Sequence, residues 1–311
     1  MNTPSGVVPE SLVGSQGVAP AVTSAPRPMY WSVRRELWEN RSIFIAPVAA
    51  AGVGMLAFLI GLGFSHSMSG HAHDATDQRV TLAMPYAHVA WLLLATALTV
   101  GFFYCLDALH GERRDRSILF WKSLPVSDLT TILAKASIPL LVLPLLVLAI
   151  AVTTHLIMLP LNAAALLVSG VAATLRQLPL FQMELVLLYS LIVLALWHAP
   201  LYGWLLLVSA WARRATFLWA VLPLAAICAF ERIAFGTSYF GSLLENRLYG
   251  FAEDAFALRG QKGVPVDPHF IPVAALTPGK FLSTPGLWIG LACAAIFLVA
   301  AARLRRCREP I

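Results

Sequence analysis

Charge is scarce in this chain. Of its 311 residues, 16 are acidic and 22 basic, 12% together, against about 25% in a soluble domain. With 59% of residues hydrophobic, there is too little polar surface to cover an apolar core in water. Cysteine is sparse and unpatterned. Cys105, Cys228 and Cys293 fall in or beside apolar runs and Cys307 lies near the end, so neither a disulfide framework nor a metal-ligand spacing is visible. Catalytic signatures are missing as well. There is no HExxH, no GxSxG and no pair of acidic clusters that would hold metal and diphosphate. The nearest approach to a phosphate-binding loop is Gly279–Lys280, but Phe281 follows where Ser or Thr is needed and Ala274 stands at the first Gly position. The chain is therefore expected to be no enzyme, to need no cofactor or metal, and to bind no ATP by that motif.

What is abundant comes in blocks. A helix needs about 20 apolar residues to cross the hydrocarbon core. Six runs qualify: Ile43–Phe64, Tyr86–Cys105, Ala136–Leu159, Met183–Ala210, Thr216–Phe235 and Pro285–Ala302. In lipid each segment must satisfy its own backbone groups, so these are read as helices. The expected class is an all-α integral membrane protein with six transmembrane helices.

The basic residues orient them. Arg27, Arg34, Arg35 and Arg41 precede the first span. Arg113, Arg114, Arg116, Lys122 and Lys135 lie between the second and third, and Arg213 and Arg214 between the fourth and fifth. Arg303, Arg305, Arg306 and Arg308 follow the sixth. Fifteen of the 22 basic residues thus share one side, and the positive-inside rule places both termini in the cytoplasm. The formal charge of +6 is mostly this topology signal and calls for no nucleic acid.

Residues 1–28 are rich in Pro, Ser, Gly, Val and Ala, with Glu10 the single charge before Arg27. They read as a disordered cytoplasmic tail and lack the pattern of a signal peptide. Residues 29–41 then place Tyr30, Val33 and Leu37 at helical spacing, with Trp31 and Trp38 seven apart. This suits an amphipathic helix in the interface, aromatic side down. An ordinary aromatic belt is the other reading.

The outer connections are less regular. The segment Ser65–Pro85 holds His66, His71, His73 and Asp74, which suits either a transition-metal site or a solvated His-rich loop. Leu161–Gln182 reads as an interfacial or re-entrant piece, with a hidden extra span as the alternative. Residues 236–284 form the large extracytoplasmic region, whose centre Ser242–Leu258 suits a short amphipathic helix. Within the spans, Pro200 is expected to kink the fourth. His155, His198 and Glu184 are scattered polar groups with no evident convergence.

The informative stretch is Gly111–Lys135, GERRDRSILFWKSLPVSDLTTILAK. It is longer than a simple turn between helices. Glu112, Arg113, Arg114 and Arg116 open it and an apolar patch with Phe120 and Trp121 follows. After Lys122, Ser123–Leu124–Pro125 break the helix, and Ser127 or Asp128 caps the next one. Aromatics beside arginines look like interface anchors, or else sit in the lipid headgroups.

This loop resembles the first cytoplasmic loop of the permease subunits of type-2 ATP-binding-cassette exporters. The likeness rests on Glu112-Arg113-Arg114, Ser117, Lys122 through Ser127, and Lys135 at the start of a span. The end of the chain, Pro285 to Gly290 followed by an apolar span and Arg303-Leu304-Arg305-Arg306, is similar to the bacterial branch. The resemblance covers about residues 29–308. It implies an elbow helix at 29–41 and a coupling helix within 111–135 built on Glu112, Arg113, Arg114, Arg116, Phe120, Trp121, Lys122, Leu124 and Pro125. It implies a bacterial inner-membrane permease working with a second permease copy, identical or paralogous, and two copies of a separate ABC ATPase. The outer connections match no substrate-specific subgroup. A membrane-embedded enzyme and a secondary transporter are the alternatives from other classes.

Cysteine labelling tests the topology. Positions 114, 213 and 305 should label from the cytoplasm, and positions 71 and 262 from outside. Labelling of position 213 from outside would overturn the six-span arrangement.

Overall fold

The computed structural model describes residues 28–68, 75–115, 117, 126–169, 179–257 and 273–307. The N-terminal tail and most of the stretch from Arg116 to Pro125 lie outside the described residues. Within them the chain is helical, with no strand and a single isolated bridge between Phe256 and Leu276.

The elements follow in order. Helix α1 spans Pro28–Glu39, α2 Ser42–Met68, α3 Ala75–Asp107 and α4 His110–Arg114. Helix α5 spans Asp128–Ser137 and passes through a π-helical turn, Ile138–Val142, into α6, Leu143–Ser169. Helix α7 is Leu180–Trp211 and α8 Thr216–Phe235. The short helices α9, Tyr239–Tyr249, and α10, Phe251–Ala255, come next. A 3-10 turn at Val273–Ala275 leads to α11, Pro278–Ser283, and finally α12, Pro285–Cys307.

Six helical stretches are long and apolar enough to cross a membrane: Ser42–Gly63, Leu82–Arg114, Asp128–Ala164, Leu180–Trp211, Thr216–Phe235 and Pro285–Cys307. This matches the six apolar runs and gives a multi-pass membrane protein. Three stretches are much longer than a bilayer needs: Leu180–Trp211 at 32 residues, and Leu82–Arg114 and Asp128–Ala164, which are longer still. At 32, 33 and 37 residues they measure about 48, 50 and 55 Å, against a hydrocarbon core of about 30 Å. Their ends therefore have room to carry charge beyond the lipid tails.

Two expectations about the connections are corrected. Leu161–Ser169 is not a separate interfacial piece; it is the last part of α6, which runs unbroken through Pro160 and Asn162. The connection after the first span is also shorter than Ser65–Pro85, because α2 continues to Met68 and α3 starts at Ala75. Residues 69–74, with His71, His73 and Asp74, lie outside the described residues.

Helices α3 and α7 form the centre of the bundle. Half of the apolar window of α3 and 44% of that of α7 are buried, against 6% for α8. Close approach depends on small residues. A side chain at Gly54 of α2 would meet Val89 of α3 at 2.9 Å, and one at Gly203 of α7 would meet the Ala294 backbone of α12 at 3.2 Å. The π turn sits where Pro139 supplies no N–H for the ladder.

At the end of the bundle where α7 begins, the segment from α9 to α11 packs on the helix ends. Its amphipathic helix starts three residues earlier than Ser242 and breaks at Gly250. Ala255, Phe256 and Phe281 share one apolar cluster with Val186, Val193 and Trp197 of α7 and Leu287 of α12. Among the described residues this region has no core of its own.

Among the described residues one non-glycine backbone position is strained. Ala215, just before α8, adopts φ 50° and ψ 56°. Left-handed backbone costs a residue with a Cβ about 1–2 kcal/mol. The extra unfolded-state freedom of Gly offsets about 0.4–1 kcal/mol of that. Ala215→Gly should therefore raise the thermal midpoint in detergent slightly, and Ala215→Val should lower it. The reverse order would show that position 215 is not left-handed in the protein.

Candidate functional site

Glu112 and Arg113 sit on α4, where the chain leaves the second span. Their residues are buried, at 7% and 4% exposure. They open the loop at residues 111–135, yet neither is a solvated surface charge. Both carry groups that would be costly to bury alone, and each has found partners inside the bundle. Arg114 does lie at the surface, paired with Asp115 at 3.1 Å. Arg116, Phe120, Trp121, Lys122, Leu124 and Pro125 lie outside the described residues.

Glu112 is the hub. One of its carboxylate oxygens accepts from Arg35 at 2.6 Å and faces Lys135 at 3.1 Å; the other faces Arg305 at 3.3 Å. Glu36 is the second hub. Its Oε1 meets the Lys135 ammonium at 2.8 Å and Arg35 at 2.8 Å, and its Oε2 accepts from the Tyr104 hydroxyl at 2.8 Å. Arg305 closes the set by donating to Asp128. Three acids, Glu36, Glu112 and Asp128, balance three bases, Arg35, Lys135 and Arg305. They come from α1, α4, α5 and α12, and Tyr104 adds α3. Lys135 and Glu36 are each only 1% exposed.

The neighbouring contacts are helix-end chemistry. Arg113 donates to the carbonyls of Ala210 and Ala212 at 2.9 and 3.1 Å. These belong to the C-terminal end of α7, where carbonyls lack helical partners and the dipole is negative. Ser209 of α7 accepts from the backbone N–H groups of Leu109 and His110, both at 3.0 Å, where α4 begins. The α4 segment is thus fastened to α7 at both ends. On α5, Ser127 is the cap, accepting from the Thr130 N–H at 3.1 Å. Asp128, the other candidate cap, is turned to Arg305 instead.

Helix α1 presents Glu36 to this cluster, with Val33 and Leu37 against the apolar core. Tyr30, Trp31 and Trp38 point away from the protein, Trp38 at 73% exposure. Arg34 lies over both tryptophan rings, 5.3 and 5.5 Å from their centres. Burial works against the charge on Arg35, but Glu36, Glu112 and Glu39 outweigh it and hold the guanidinium above its ordinary value. Burial pushes the Glu39 carboxyl up, with Arg35 opposing.

Sequence reasoning missed Glu36 because it sits on a helix whose aromatics draw the eye. The available signal was a pair of acids and a lysine, Glu36, Glu112 and Lys135, each at the margin of an apolar run. The expected scatter of His155, His198 and Glu184 is also corrected in part. His155 of α6 and Glu184 of α7 meet, Nδ1 to Oε1, at 2.5 Å. His198 is elsewhere, bonded to the Leu194 carbonyl at 2.9 Å and edge-on to Phe251. Among the described residues no group of three or more metal-ligating side chains forms.

No family model matches this chain, nor does any curated protein or any solved structure.

Substitution separates the buried charges from the surface ones. Lys135→Met leaves Glu36 and Glu112 under-compensated, and breaking a buried pair costs about 3–5 kcal/mol. Arg114→Ala should fall within about 0.5 kcal/mol of wild type. Denaturation of the purified variants in detergent reads both. Equal stability of the two would mean that Lys135 is not a buried, paired charge.

Proposed function

We propose that this chain is the transmembrane permease subunit of a bacterial ATP-binding-cassette exporter, driven by a separate ATPase subunit. The observation that carries the reading is how the two ends of the loop at residues 111–135 are held. At one end Glu112 and Arg113 are locked to α1, α7 and α12. At the other Lys135 and Asp128 are locked to α1, α4 and α12. A force applied between these anchor points is passed to several helices at once, as a coupling element requires. A plain connection between two spans needs no such frame.

Other features fit the same reading. Helix α1 precedes the first span and carries outward-facing aromatics, which suits an elbow lying in the headgroups. With the basic side in the cytoplasm, the ion cluster and the loop lie where an ATPase works. Helix α8 has little cover from its own chain, leaving apolar surface for lipid and for a second permease copy, identical or paralogous. Two ATPase copies would then serve two loops.

A second reading is a secondary transporter. It is favoured by one observation, the His155–Glu184 pair between α6 and α7, because ionisable residues within spans mark ion pathways. The energy source distinguishes the two readings.

The test uses the full chain and an ABC ATPase subunit sought among the neighbouring genes. The chain alone should hydrolyse no ATP, and the pair should co-purify. Phe120→Ala and Trp121→Ala should each weaken ATPase binding by about 30-fold, the loss expected for a buried aromatic anchor of about 2 kcal/mol. Undiminished binding by the double variant at equal permease levels would remove this loop as the docking site. Transport that persists without the ATPase, driven by a proton gradient, would favour the secondary transporter.

A further inference from the structure

Helix α1 carries charge on two sides, and only one side is neutralised. At 3.6 residues per turn, Tyr30, Trp31, Arg34 and Trp38 fall within an arc of about 100°. Glu36 and Glu39 lie roughly 140–160° round the helix from Arg34. Those acids are engaged elsewhere, Glu36 with Lys135, Arg35 and Tyr104, and Glu39 with Arg35 at 3.3 Å. Among the described residues no acid pairs with Arg34. Its guanidinium meets the Trp31 and Trp38 rings instead.

The geometry fixes what this cation can still bind. Trp31 stands one turn before Arg34 and Trp38 one turn after. The two rings thus flank the guanidinium, with their centres 5.3 and 5.5 Å from its carbon. Tyr30 extends the set, edge-on to Trp31 with centres 5.5 Å apart. Contact with a ring uses the flat face of a guanidinium. Its five N–H donors point outward in the plane of the group, and the side-chain hydrogen bonds of α1 are made by Arg35 and Glu36. Two oxygens of a phosphate match that open fork. Aromatic rings grouped in this way otherwise receive a choline-type ammonium. Here Arg34 already stands where the ammonium would go, so a cationic headgroup is refused at the spot where a phosphate is accepted.

The surroundings name the source of the phosphate. Tyr30, Trp31 and Trp38 are 57%, 57% and 73% exposed, and Tyr and Trp are the residues of membrane interfaces. Helix α2 begins three residues after α1 ends, and its first turns expose Phe44, Ile45 and Val48, apolar side chains that suit lipid. Arg41, in the connection, is exposed as well. Phosphates at that depth belong to phospholipids.

We propose that the outer face of α1 binds the phosphate of an anionic phospholipid, held by Arg34 between Trp31 and Trp38 and preferred over a choline lipid because Arg34 fills the aromatic cage. The inference rests on the reading of α1 as an interfacial helix and names the lipid that this helix takes. It also ties the bilayer to the ion cluster. Arg34 is followed by Arg35 and Glu36, which hold Glu112 and Lys135, so a lipid on one side of α1 steadies the helix that presents the cluster on the other.

The test uses the full chain in detergent micelles doped with phosphatidylglycerol or phosphatidylcholine, with bound lipid counted by native mass spectrometry. The unaltered chain should bind phosphatidylglycerol more tightly. Arg34→Ala should lower that preference by about 5-fold, the equivalent of about 1 kcal/mol for one basic residue at an anionic surface. Should that variant fail to insert, Trp31→Leu combined with Trp38→Leu keeps the charge, frees its orientation and should also lower the preference. Arg114→Ala, at a surface arginine outside α1, should leave it unchanged. No preference in the unaltered chain would overturn the proposal, as would an equal loss with Arg114→Ala, which marks diffuse attraction. Displacement of the lipid by an equal concentration of glycerol phosphate would overturn it too, since the site would then take free phosphate. A spin label at Met29→Cys, with the four native cysteines replaced, reads the depth of α1 in nanodiscs separately. A label in bulk water would overturn the interfacial reading itself, whereas a label at headgroup depth without lipid preference would overturn this inference alone.

Discussion

Lys135 ends its side chain inside the protein, 1% exposed, where no water is available to solvate an ammonium. Much of the architecture follows from what compensates it. Glu36 and Glu112 approach it at 2.8 and 3.1 Å, and each of these acids then needs further donors for its remaining lone pairs. Arg35, Arg305 and Tyr104 supply them. A cluster of this kind adds little net stability, because the desolvation of the ions opposes their attraction. Its effect is on geometry. Six charges from four helices cancel in one arrangement of α1, α4, α5 and α12, and shifting any of them by a turn would strand a charge in the interior. The overlong second and third spans make this possible, since their ends pass beyond the lipid tails.

The two ends of the bundle are held by different forces. At the end that carries α1, ion pairs and helix caps join the elements, with Arg113 and Ser209 fastening α4 to α7. At the other end the joint is apolar. Phe256, Phe281 and Leu287 close over Trp197 and Val193, and Arg247 of α9 lies 4.7 Å over the Trp197 ring while donating to the Gly286 carbonyl. Burial pulls the Arg247 guanidinium down from its ordinary value. An ionic joint resists sliding, because its partners are directional. An apolar joint tolerates small shifts, because contact area changes gradually. A force applied at the ionic end would therefore be carried into the spans, and the apolar end could yield to it.

Between these ends the spans meet through small residues and aliphatic side chains, and their cover is uneven. Helices α3 and α7 are central, whereas α8 leans on the bundle with Ala220 as its one buried residue. Lipid or another chain must take up the rest of its apolar surface. The His155–Glu184 contact lies within the well-packed part, where α3, α6 and α7 come together.

The number of spans and their approximate limits were determined by the sequence alone. Apolar length is a local property and a bilayer sets its threshold, so Thr216–Phe235 could be read to the residue. Ser127 as a cap was legible for the same reason, since capping depends on a few neighbouring residues. Three matters were decided only by the tertiary structure. The sequence does not show that Glu36 turns inward while Trp38 turns outward, because on a helix this short the inward face depends on what packs against it. It does not show that Glu112 and Arg113 are buried, since a run of charges reads as a solvated surface until distant partners are brought beside it: arginines 77 and 193 residues away for Glu112, and carbonyls 97 and 99 residues away for Arg113. It also leaves His155 and Glu184 as isolated polar residues 29 positions apart. Pairing of buried charges is a long-range constraint, written in the chain as separate single residues, and only the packing of the helices makes it visible.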